Sequence, residues 1–336
     1  MADGPLRIGI LGAARIAPAA LVQPARRVGG VTASAIAARD PQRAQKFASK
    51  HGIARVQPSY DDLIADPDLD AVYIPLPNSL HGTWTLRALA AGKHVLCEKP
   101  FTANAAEAEQ VADAAESSGL VVMEAFHYRY HAIAERMRTI AHDGTLGETT
   151  AVRTSLCFPL PVFSDIRYNF DLGGGASMDA CYPVHALRLL GPGEPTVVSA
   201  SAKVLKRDGR RIDRAMTAHF SFAGGATGRT DASLWSHRLL GLGAEVQGTR
   251  GRLRVFNYIA PQFYNRLSVT VDGRTTRERV SGEPSYDAQL RAFVAAVRDG
   301  APFPTTARDA VVTMRLLDEI YQAAGLPIRG RESGRP

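Results

Sequence analysis

An acid and a lysine stand together at the end of a run that should be a buried strand. In the stretch LCEKPFT, residues 96–102, Glu98 and Lys99 come directly after the apolar letters of HVLC. Lys and Glu are rarely buried in proteins unless they are paired or used in chemistry. Glu98 and Lys99 are therefore candidate functional residues.

A second candidate is the loop GAARIA, which follows the apolar run LRIGILG. Against the pattern G-x-G-x-x-G/A, Gly12 and Ala17 match, whereas Ala14 replaces the glycine that normally lets the backbone approach a pyrophosphate. A strand before the loop and a helix after it would aim the helix N-terminus at phosphate. The alternative is a tight turn between strand and helix. The residues that we expect to contact a dinucleotide are Gly12, Ala14, Arg15 and Ile16.

The end of the second apolar run bears on which dinucleotide would bind. An acid there accepts hydrogen bonds from a ribose 2′-hydroxyl, and an arginine neutralises a 2′-phosphate. In AARDPQR, alanines stand at the usual carboxylate positions, Arg39 follows them, and Arg43 lies one helical turn on. This favours NADP(H). Asp40 keeps NAD(H) open, and both arginines could also be solvated residues at a helix start.

The elements that would hold these residues are alternating strands and helices. Over the first 125 residues, short apolar runs alternate with helix-like segments, which is the pattern of βαβ units and a parallel sheet. The segment DPQRAQKFASKHG has an Asp-Pro start and a glycine end, and SLHGTWTLRALAAG is expected to start at Ser79 and end at Gly92. We predict an α/β, doubly wound Rossmann domain over 1–125, with ligands at the carboxyl ends of the strands.

Residues 126–336 have a different pattern. A helix-like segment, HYRYHAIAERMRTIAHDG, precedes long strand-like stretches separated by the turn sequences RDG, AGG and VDGR. We predict an α+β domain with a large, mainly antiparallel sheet that has one open face. The last helices could pack back on the first domain.

Composition sets limits on the class of protein. A chain of 336 residues fits two domains, and 45% apolar with 22% charged residues is ordinary for a globular protein. No apolar run reaches membrane-spanning length, and MADGPLR leads directly into a strand-like run, so we expect no signal peptide and a cytoplasmic location. The three cysteines lie far apart, which favours neither a disulfide framework nor a zinc knuckle. The net charge of +7 could suit nucleic acid or an anionic cofactor, and because only KRDGRRIDR clusters basic residues we expect no nucleic acid partner.

Taken in order, these motifs resemble the Gfo/Idh/MocA family of oxidoreductases, named after glucose-fructose oxidoreductase, inositol dehydrogenase and a rhizopine-catabolism protein. The likeness covers nearly the whole chain. The segments that carry it are IGILGAARIA, IPLPNSLH, HVLCEKPFT, LGGGASMDACYPVHALRLLG and YDAQLRAFVAAVRDGAPFPTTARDAVVTMRLLDEIYQAAG.

The resemblance implies a role for the residues at the strand ends. In the family, the residue matching Lys99 reaches nicotinamide and the reacting oxygen, where an ammonium stabilises developing negative charge. The residue matching Glu98 contacts the cofactor, and Pro100 is often preceded by a cis bond. His81 could instead cap the helix that follows it. The residues that should line the cofactor by likeness to the P-N-x-x-H segment are Pro77, Asn78 and His81.

The resemblance also implies an acid–base pair in the second domain. Asp179 and Tyr182 match the tyrosine branch, which is similar to dihydrodiol dehydrogenases and sugar ketoreductases. Tyr182 would give or take the proton, and Lys99 beside it would ease proton loss. Relatives usually show D-x-G-x-Y, with four steps, whereas DACY has three. The position of Asp179 is thus open, and His185 is the reserve acid–base residue, with a structural histidine as its alternative.

Further residues are candidates for the substrate side. His127 and His131, four apart and close to Glu124, could bind a metal from one helix face, but relatives place this segment beside the substrate pocket without metal, so we expect none. Trp235 and His237 could line the same cleft or pack the sheet. The residues expected to contact substrate are Tyr128, Arg167, Tyr168 and His185.

The resulting function is a hydride transfer. We expect an NAD(P)-dependent dehydrogenase or reductase that acts on a carbinol carbon of a sugar, polyol, cyclitol or cyclic dihydrodiol. Alternatives are an NAD-dependent glycoside hydrolase that works by oxidation and elimination, and a non-catalytic cofactor-sensing regulator. Relatives use the large sheet for subunit packing, so a homodimer or homotetramer is expected.

Overall fold

The computed structural model of the chain describes residues 4–236 and 240–330. These residues form two compact units, one made of 4–130 with 286–311 and the other of 131–285 with 312–330. The division at residue 125 that was predicted from the sequence, which assigns a function to each part, stays a prediction. No helix among the described residues combines the length and the apolar character needed to cross a bilayer.

Together, the described residues of the two units form fourteen strands and ten α-helices. The strands are β1 (Leu6–Leu11), β2 (Val31–Ala37), β3 (Arg55–Val56), β4 (Ala71–Ile74), β5 (His94–Cys97), β6 (Val122–Glu124), β7 (Thr149–Cys157), β8 (Thr196–Arg207), β9 (Arg210–Ser221), β10 (Thr227–Ser233), β11 (Gly241–Gly248), β12 (Gly251–Phe256), β13 (Arg266–Val271) and β14 (Arg274–Glu278). The α-helices are α1 (Gln23–Arg27), α2 (Pro41–His51), α3 (Tyr60–Ala65), α4 (His81–Ala90), α5 (Ala105–Ser118), α6 (Ala132–His142), α7 (Ala176–Asp179), α8 (Tyr182–Leu190), α9 (Ser285–Asp299) and α10 (Ala307–Ala323).

The first unit is built on a six-stranded parallel sheet in the order β3-β2-β1-β4-β5-β6. All four residues of β4 are buried, as expected for a strand covered on both faces. The strand order reverses between β1 and β4, and ligands of such sheets bind outside the carboxyl ends of the strands at this switch point. The predicted Rossmann architecture is confirmed.

Two helices of this unit illustrate how the sequence sets element ends. Asp40 accepts hydrogen bonds from the amides of Gln42 and Arg43, and α2 ends at Gly52, whose φ of 69° is left-handed, as predicted. The predicted start of the next helix at Ser79 is wrong. A 3₁₀ turn occupies Asn78–Leu80, and α4 begins at His81 without a side-chain cap because the turn already supplies the first helical bonds.

The second unit is built on an eight-stranded sheet in the order β14-β13-β12-β11-β7-β10-β9-β8. Among the described strands of this sheet, only β7 and β10 pair in parallel, so the sheet is mainly antiparallel, as predicted. Helix α8 packs on β7, β10 and β11, and α6 packs on β12 and α8. Thr154 donates to the carbonyl of Pro183 at 2.7 Å, which fastens β7 to α8.

The other face of this sheet carries charged side chains. Along β12, buried Leu253 and Val255 alternate with exposed Arg254 and Phe256, which is the pattern of a sheet with one packed and one open face. A trough of about 730 Å³ crosses the open face. Charged residues that line it are Arg153, Arg229, Asp231, Glu245, Arg254, Arg266 and Arg277.

Candidate active site

The loop after β1 has the form expected of a phosphate-binding turn. Gly12 has a φ of 103°, and a Cβ there would lie 3.0 Å from Cδ2 of Leu76, so the position requires glycine. The amide of Gly12 donates to the carbonyl of Ala37 at 2.7 Å, which ties the loop to the end of β2. A π-helical turn over Pro18–Val22 follows, and its N-cap residue Ala17 makes no side-chain capping bond.

The loop also offers donors. Ala14 is half-buried, and its amide donates to the carbonyl of Gly12 at 2.9 Å. Arg15 and Ile16 are exposed, and their amides find no acceptor among residues 4–236 and 240–330. Backbone amides left unsatisfied at the start of a helix favour an anion. The chain's own residues therefore fit a dinucleotide phosphate at this loop.

The end of β2 places two arginines near the same loop. Arg39 and Arg43 are exposed, and Nη2 of Arg43 lies 3.3 Å from the carbonyl oxygen of Ala13. Oδ1 of Asp40 accepts both capping bonds of α2, from Gln42 at 2.9 Å and Arg43 at 3.3 Å. Asp40 is thus engaged in the helix cap, and both arginine side chains are exposed at the end of β2.

The segment after β4 turns at the same sheet edge. Pro77 and Asn78 are half-buried and stand at the start of the 3₁₀ turn. His81 is fully buried, with Nε2 2.8 Å from the carbonyl oxygen of Leu76 and Nδ1 2.8 Å from that of Pro100. Burial lowers the pKa of His81 to about 4, so the ring is neutral and donates to one of the two carbonyls.

This geometry excludes the alternative in which His81 caps the helix that follows it. No side chain of the described residues caps α4, and both ring nitrogens of His81 face backbone carbonyls. Its contacts join the turn after β4 to the turn after β5. The predicted contact of His81 with the cofactor stays a prediction.

The turn after β5 carries the acid and the lysine. Glu98 is almost completely buried and accepts a hydrogen bond from the hydroxyl of Tyr73 at 2.7 Å. Lys99 is half-buried, and the Lys99–Pro100 peptide bond is cis, as the resemblance implied. Burial, and next the charge of Glu98, raise the pKa of Tyr73, so its hydroxyl stays a donor to the carboxylate. Glu98 is thus held in place by a partner that the sequence did not reveal.

Two aromatic side chains that sequence reasoning did not assign to the cofactor side complete this edge. His127 lies just after β6, and its ring stacks on that of Tyr286, at the start of α9, with centroids 4.0 Å apart. Burial, with a further effect of the Lys99 charge, lowers the pKa of His127 to about 3. The pKa of Tyr286 is raised by burial and then by Glu98. Burial is thus the main cause of both shifts, and the charges of Lys99 and Glu98 contribute less.

In the second unit, α7 and α8 carry the predicted acid–base residues. Helix α7 ends at Asp179, Ala180 is non-helical with φ −98° and ψ 47°, and α8 begins at Tyr182. The three-step spacing of Asp179 and Tyr182 is thus accommodated by a break between two short helices. Tyr182 is 6% exposed and His185, one turn later, is 3% exposed.

Asp179 is held by Arg167. Nε of Arg167 lies 2.9 Å from Oδ2 of Asp179, and Nη1 lies 3.1 Å from Oδ1 of Asp165. The charge of Asp179 raises the pKa of Arg167, and burial opposes that shift. Its guanidinium is shared by two carboxylates, and its predicted contact with substrate stays a prediction.

Other predicted substrate residues are more deeply placed. Tyr168 is fully buried, donates to the carbonyl of Leu160 at 2.8 Å, and packs with Ala176 and Leu234. Burial raises the pKa of Tyr168 to about 12. Its hydroxyl and ring are thus used in packing within the second unit, and its predicted substrate contact stays a prediction. Tyr128 is also fully buried and stands edge-on to Phe126, with ring centroids 6.3 Å apart.

The remaining predictions concern the aromatic segment around Trp235 and a metal site. Trp235 packs edge-on against Phe163, with centroids 6.3 Å apart, and His237 lies outside the described residues. Nδ1 of His131 accepts from the amide of Ile133 at 3.1 Å and so caps α6. No group of three or more His, Cys, Asp or Glu side chains placed to hold a metal occurs in the part of the chain that the structure describes.

Comparison with known proteins identifies the family. Residues 6–126 match the model of an oxidoreductase family with an NAD-binding Rossmann fold, GFO_IDH_MocA, and residues 134–254 match the GFO/IDH/MocA C-terminal domain. The chain belongs to the Gfo/Idh/MocA family.

Relatives within the Gfo/Idh/MocA family have named activities. The chain is 38% identical to a D-xylose 1-dehydrogenase (NADP(+)) of Haloferax volcanii, covering 95% of this chain and 97% of the relative. It is 30% identical to a trans-1,2-dihydrobenzene-1,2-diol dehydrogenase of Xenopus laevis, over 87% and 89% of the two chains. The likeness to dihydrodiol dehydrogenases that the Asp–Tyr pair indicated is confirmed.

A solved structure extends the comparison to the sugar ketoreductases. KijD10, a 3-ketoreductase from Actinomadura kijaniata solved with NADP and TDP-benzene, superposes with a TM-score of 0.87 at 29% identity, covering 95% of this chain and 98% of KijD10. KijD10 has also been solved with one tyrosine replaced by phenylalanine and with one lysine replaced by alanine.

Proposed function

We propose that the protein is a nicotinamide-dependent oxidoreductase that transfers a hydride to or from a carbinol carbon of a sugar, polyol, cyclitol or cyclic dihydrodiol. The observation that carries the proposal is one edge of the six-stranded sheet. There, a glycine turn with two unsatisfied amides follows β1, and the turn with Lys99 follows β5. The xylose and dihydrodiol dehydrogenases among the relatives support a carbinol substrate.

NADP(H), when bound, supplies or accepts the hydride, and the first unit supplies its binding residues. The amides of Arg15 and Ile16 would donate to the pyrophosphate, which can approach because Gly12 has no side chain. Arg39 and Arg43 would neutralise a 2′-phosphate, while Asp40 caps α2. The residues around the turns after β4 and β5 that we assign to the nicotinamide half are Pro77, Asn78, Glu98 and Lys99.

Lys99 acts on the reacting oxygen. Its ammonium can hydrogen-bond the substrate hydroxyl or carbonyl and stabilise the negative charge that develops there. Glu98 is fixed by Tyr73 at 2.7 Å, so the backbone of this turn is held by a side chain as well as by the sheet.

Tyr182 moves the proton. The neutral phenol can donate its proton to a carbonyl oxygen in reduction, and its phenolate can accept the proton of a hydroxyl in oxidation. Asp179 is held by Arg167, with 2.9 Å between Nε and Oδ2, and we assign this pair to orient the segment that ends at Tyr182. His185 remains the reserve acid–base residue.

The first experiment separates cofactors and then substrates. Thermal shift with NADP(H) and with NAD(H) should give the larger stabilisation with NADP(H), and a panel of sugars, polyols and dihydrodiols should then give absorbance changes at the nicotinamide band. Release of sugar without net nicotinamide change would favour the hydrolase alternative. Cofactor binding with no turnover of the panel, equal in wild type and Lys99→Ala, would favour a regulator.

We further propose that the protein is a homodimer or homotetramer that associates through the open face of the eight-stranded sheet. Support comes from the exposed Phe256, at 37% exposure, beside a trough of about 730 Å³. Light scattering should give a multiple of the chain mass, and Phe256→Asp should lower it.

Two further parts of the proposal are a cytoplasmic location, to be tested by cell fractionation, and the assignment of 1–125 to the cofactor and 126–336 to substrate and assembly.

A further inference from the structure

A fully buried ion pair lies in the second unit, remote in sequence from the predicted acid–base residues. Nη2 of Arg329 is 2.8 Å from Oδ1 of Asp213, and both side chains have 0% exposure. A buried arginine is rare in proteins, and breaking one side of such a pair leaves an uncompensated charge in the interior. The pair therefore needs a structural reason.

The guanidinium of Arg329 is held on every side. Its Nε donates to the carbonyl of Gly174 at 2.6 Å, and its Nη1 donates to that of Pro327 at 2.7 Å. The rings of Tyr321 and Phe170 lie 4.3 Å and 4.6 Å from the guanidinium carbon. These contacts fix the orientation of the planar group as well as its charge.

Asp213 uses its second oxygen on the active-site segment. Helix α7 begins after Gly175, which has no side chain to cap it, and Oδ2 of Asp213 accepts from the amide of Ser177 at 2.8 Å. A carboxylate at this position satisfies a helix amide and complements the helix dipole. Strand β9 thus supplies the cap that the sequence around α7 lacks. The hydroxyl of Tyr321 also donates to Oδ1 of Asp213, at 3.0 Å.

Gly175 shows how closely the backbone approaches this cluster. With φ at 145°, a Cβ there would lie 2.3 Å from Oδ1 of Asp213 and 2.9 Å from Nη2 of Arg329. Glycine is required at this position on both grounds. The amide of Asp179 then donates to the carbonyl of Gly175 at 3.0 Å, so the position of the glycine is passed to Asp179 by one helical turn.

We propose that Arg329 and Asp213 are positioning residues for the reaction, which set the start of α7 and thereby the placement of Asp179 and Tyr182. The pair acts through the backbone of 174–177 and touches no substrate. Its catalytic consequence rests on the proposed function, whereas its effect on the segment does not.

Hydrogen exchange tests the effect on the segment independently of activity. Asp213→Asn should raise amide exchange in peptides covering 173–182 at least tenfold and leave those of β7 unchanged, because the cap of α7 is weakened. Arg329→Lys should act in the same direction, and Tyr321→Phe should give a smaller change, since it removes one hydrogen bond but keeps the ring. These milder variants keep the test decisive if Asp213→Asn does not fold.

A matched control is the exposed pair Arg136–Glu278, also in the second unit, with 2.7 Å between Nε and Oε1. Arg136→Ala should leave exchange in 173–182 as in wild type. Unchanged exchange there in all three cluster variants, or the same acceleration across β7, would overturn the proposal.

Kinetics test the catalytic consequence. In Arg329→Lys and Tyr321→Phe, kcat should fall while the KM for NADPH stays constant, and the pH at which kcat is half-maximal should move, which a general loss of stability does not produce. A wild-type protein without turnover on any carbinol would defeat the proposed function but not the exchange result. Faster exchange in 173–182 with unchanged kcat and pH profile would show that the pair is structural only and would overturn the assignment.

Discussion

The functional residues of the two units are held in place by different means. In the first unit, they follow strand ends, and the register of neighbouring parallel strands sets their positions: Ile10 is paired with Tyr73, and Ile74 with Cys97. In the second unit, Asp179 and Tyr182 stand on two short helices whose start is capped from another strand. One of the contacts there, between Gly174 and Arg329, joins residues 155 positions apart.

This difference has a consequence for substitution experiments. Changes at the strand-end turns of the first unit should act on binding or chemistry with little effect on distant parts, because the sheet holds the turns. Changes in the second unit should act on the acid–base segment even when they are far from it in sequence. Variants of single residues test whether the two units differ in this way.

The largest effect is expected at Tyr182. Tyr182→Phe removes the proton donor and should lower kcat by about 10²–10⁴-fold, the usual contribution of general acid–base catalysis. Thermal stabilisation by NADPH should stay as in wild type, because the cofactor residues belong to the first unit. Tyr264→Phe, at an exposed tyrosine of the same unit, is the control. Loss of NADPH binding in Tyr182→Phe would contradict the expectation that residues of the first unit alone bind the cofactor.

Lys99→Ala should have the next largest effect. Removal of a group that stabilises the developing oxygen charge should lower kcat/KM by about 10²–10³-fold. The variant should also raise the pKa of His127, because the Lys99 charge contributes to its low value. The exposed Lys46→Ala serves as the control for loss of a surface charge. Full activity in Lys99→Ala would remove the strand-end turn from the mechanism.

Arg39→Ala should change the choice of cofactor. Loss of a 2′-phosphate contact should raise the KM for NADPH about tenfold, equivalent to about 1.4 kcal/mol, and leave that for NADH unchanged. Lys50→Ala, exposed near the end of helix α2, controls for general electrostatic attraction. A variant that binds both nicotinamides as before would defeat the NADP(H) preference.

The same contrast explains what the sequence could predict. Gly12, the turn after β5 and the capped helix α2 are local patterns, so composition and spacing identified them. The partners of Glu98 and Asp179, namely Tyr73 and Arg167, depend on tertiary packing, although Arg167 had been noted as a substrate residue. The resemblance, and not periodicity, supplied the roles of Lys99 and Tyr182.

Errors in the sequence-based prediction arose where side chains compete for backbone partners. Ser79 has the residue type of a helix cap, but a 3₁₀ turn starting at Asn78 displaces the helix start to His81. The hydroxyl of Tyr168 likewise donates to the carbonyl of Leu160, a partner that the sequence did not indicate, while its predicted substrate contact stays a prediction. The cluster around Arg329 gave no local signal, because no motif marks a cap that is supplied from a distant strand.

The last expected effect is on the stability of the fold in mild acid and not on turnover. Burial holds His81 and His127 of the first unit neutral, with pKa values of about 4 and about 3, whereas a histidine in the unfolded chain titrates near 6.5. Their contribution is fully present above pH 6.5. As the pH falls toward the folded values, the unfolded chain binds more protons, and each histidine should remove about 1.4 kcal/mol per pH unit.

Urea unfolding at pH 7.5 and pH 5.0 measures this loss and locates it. His127→Phe keeps a ring to stack on Tyr286 but cannot titrate, so its stability should fall less between the two pH values than that of wild type. His219→Gln, at an exposed histidine of β9, should fall as much as wild type. In the second unit, burial also lowers the pKa of His131. We expect His131 to contribute to the loss of stability in acid, but less than His127 does. Equal protection by His131→Phe and His127→Phe would mean that the strand-end edge of the first unit is not the more acid-sensitive region.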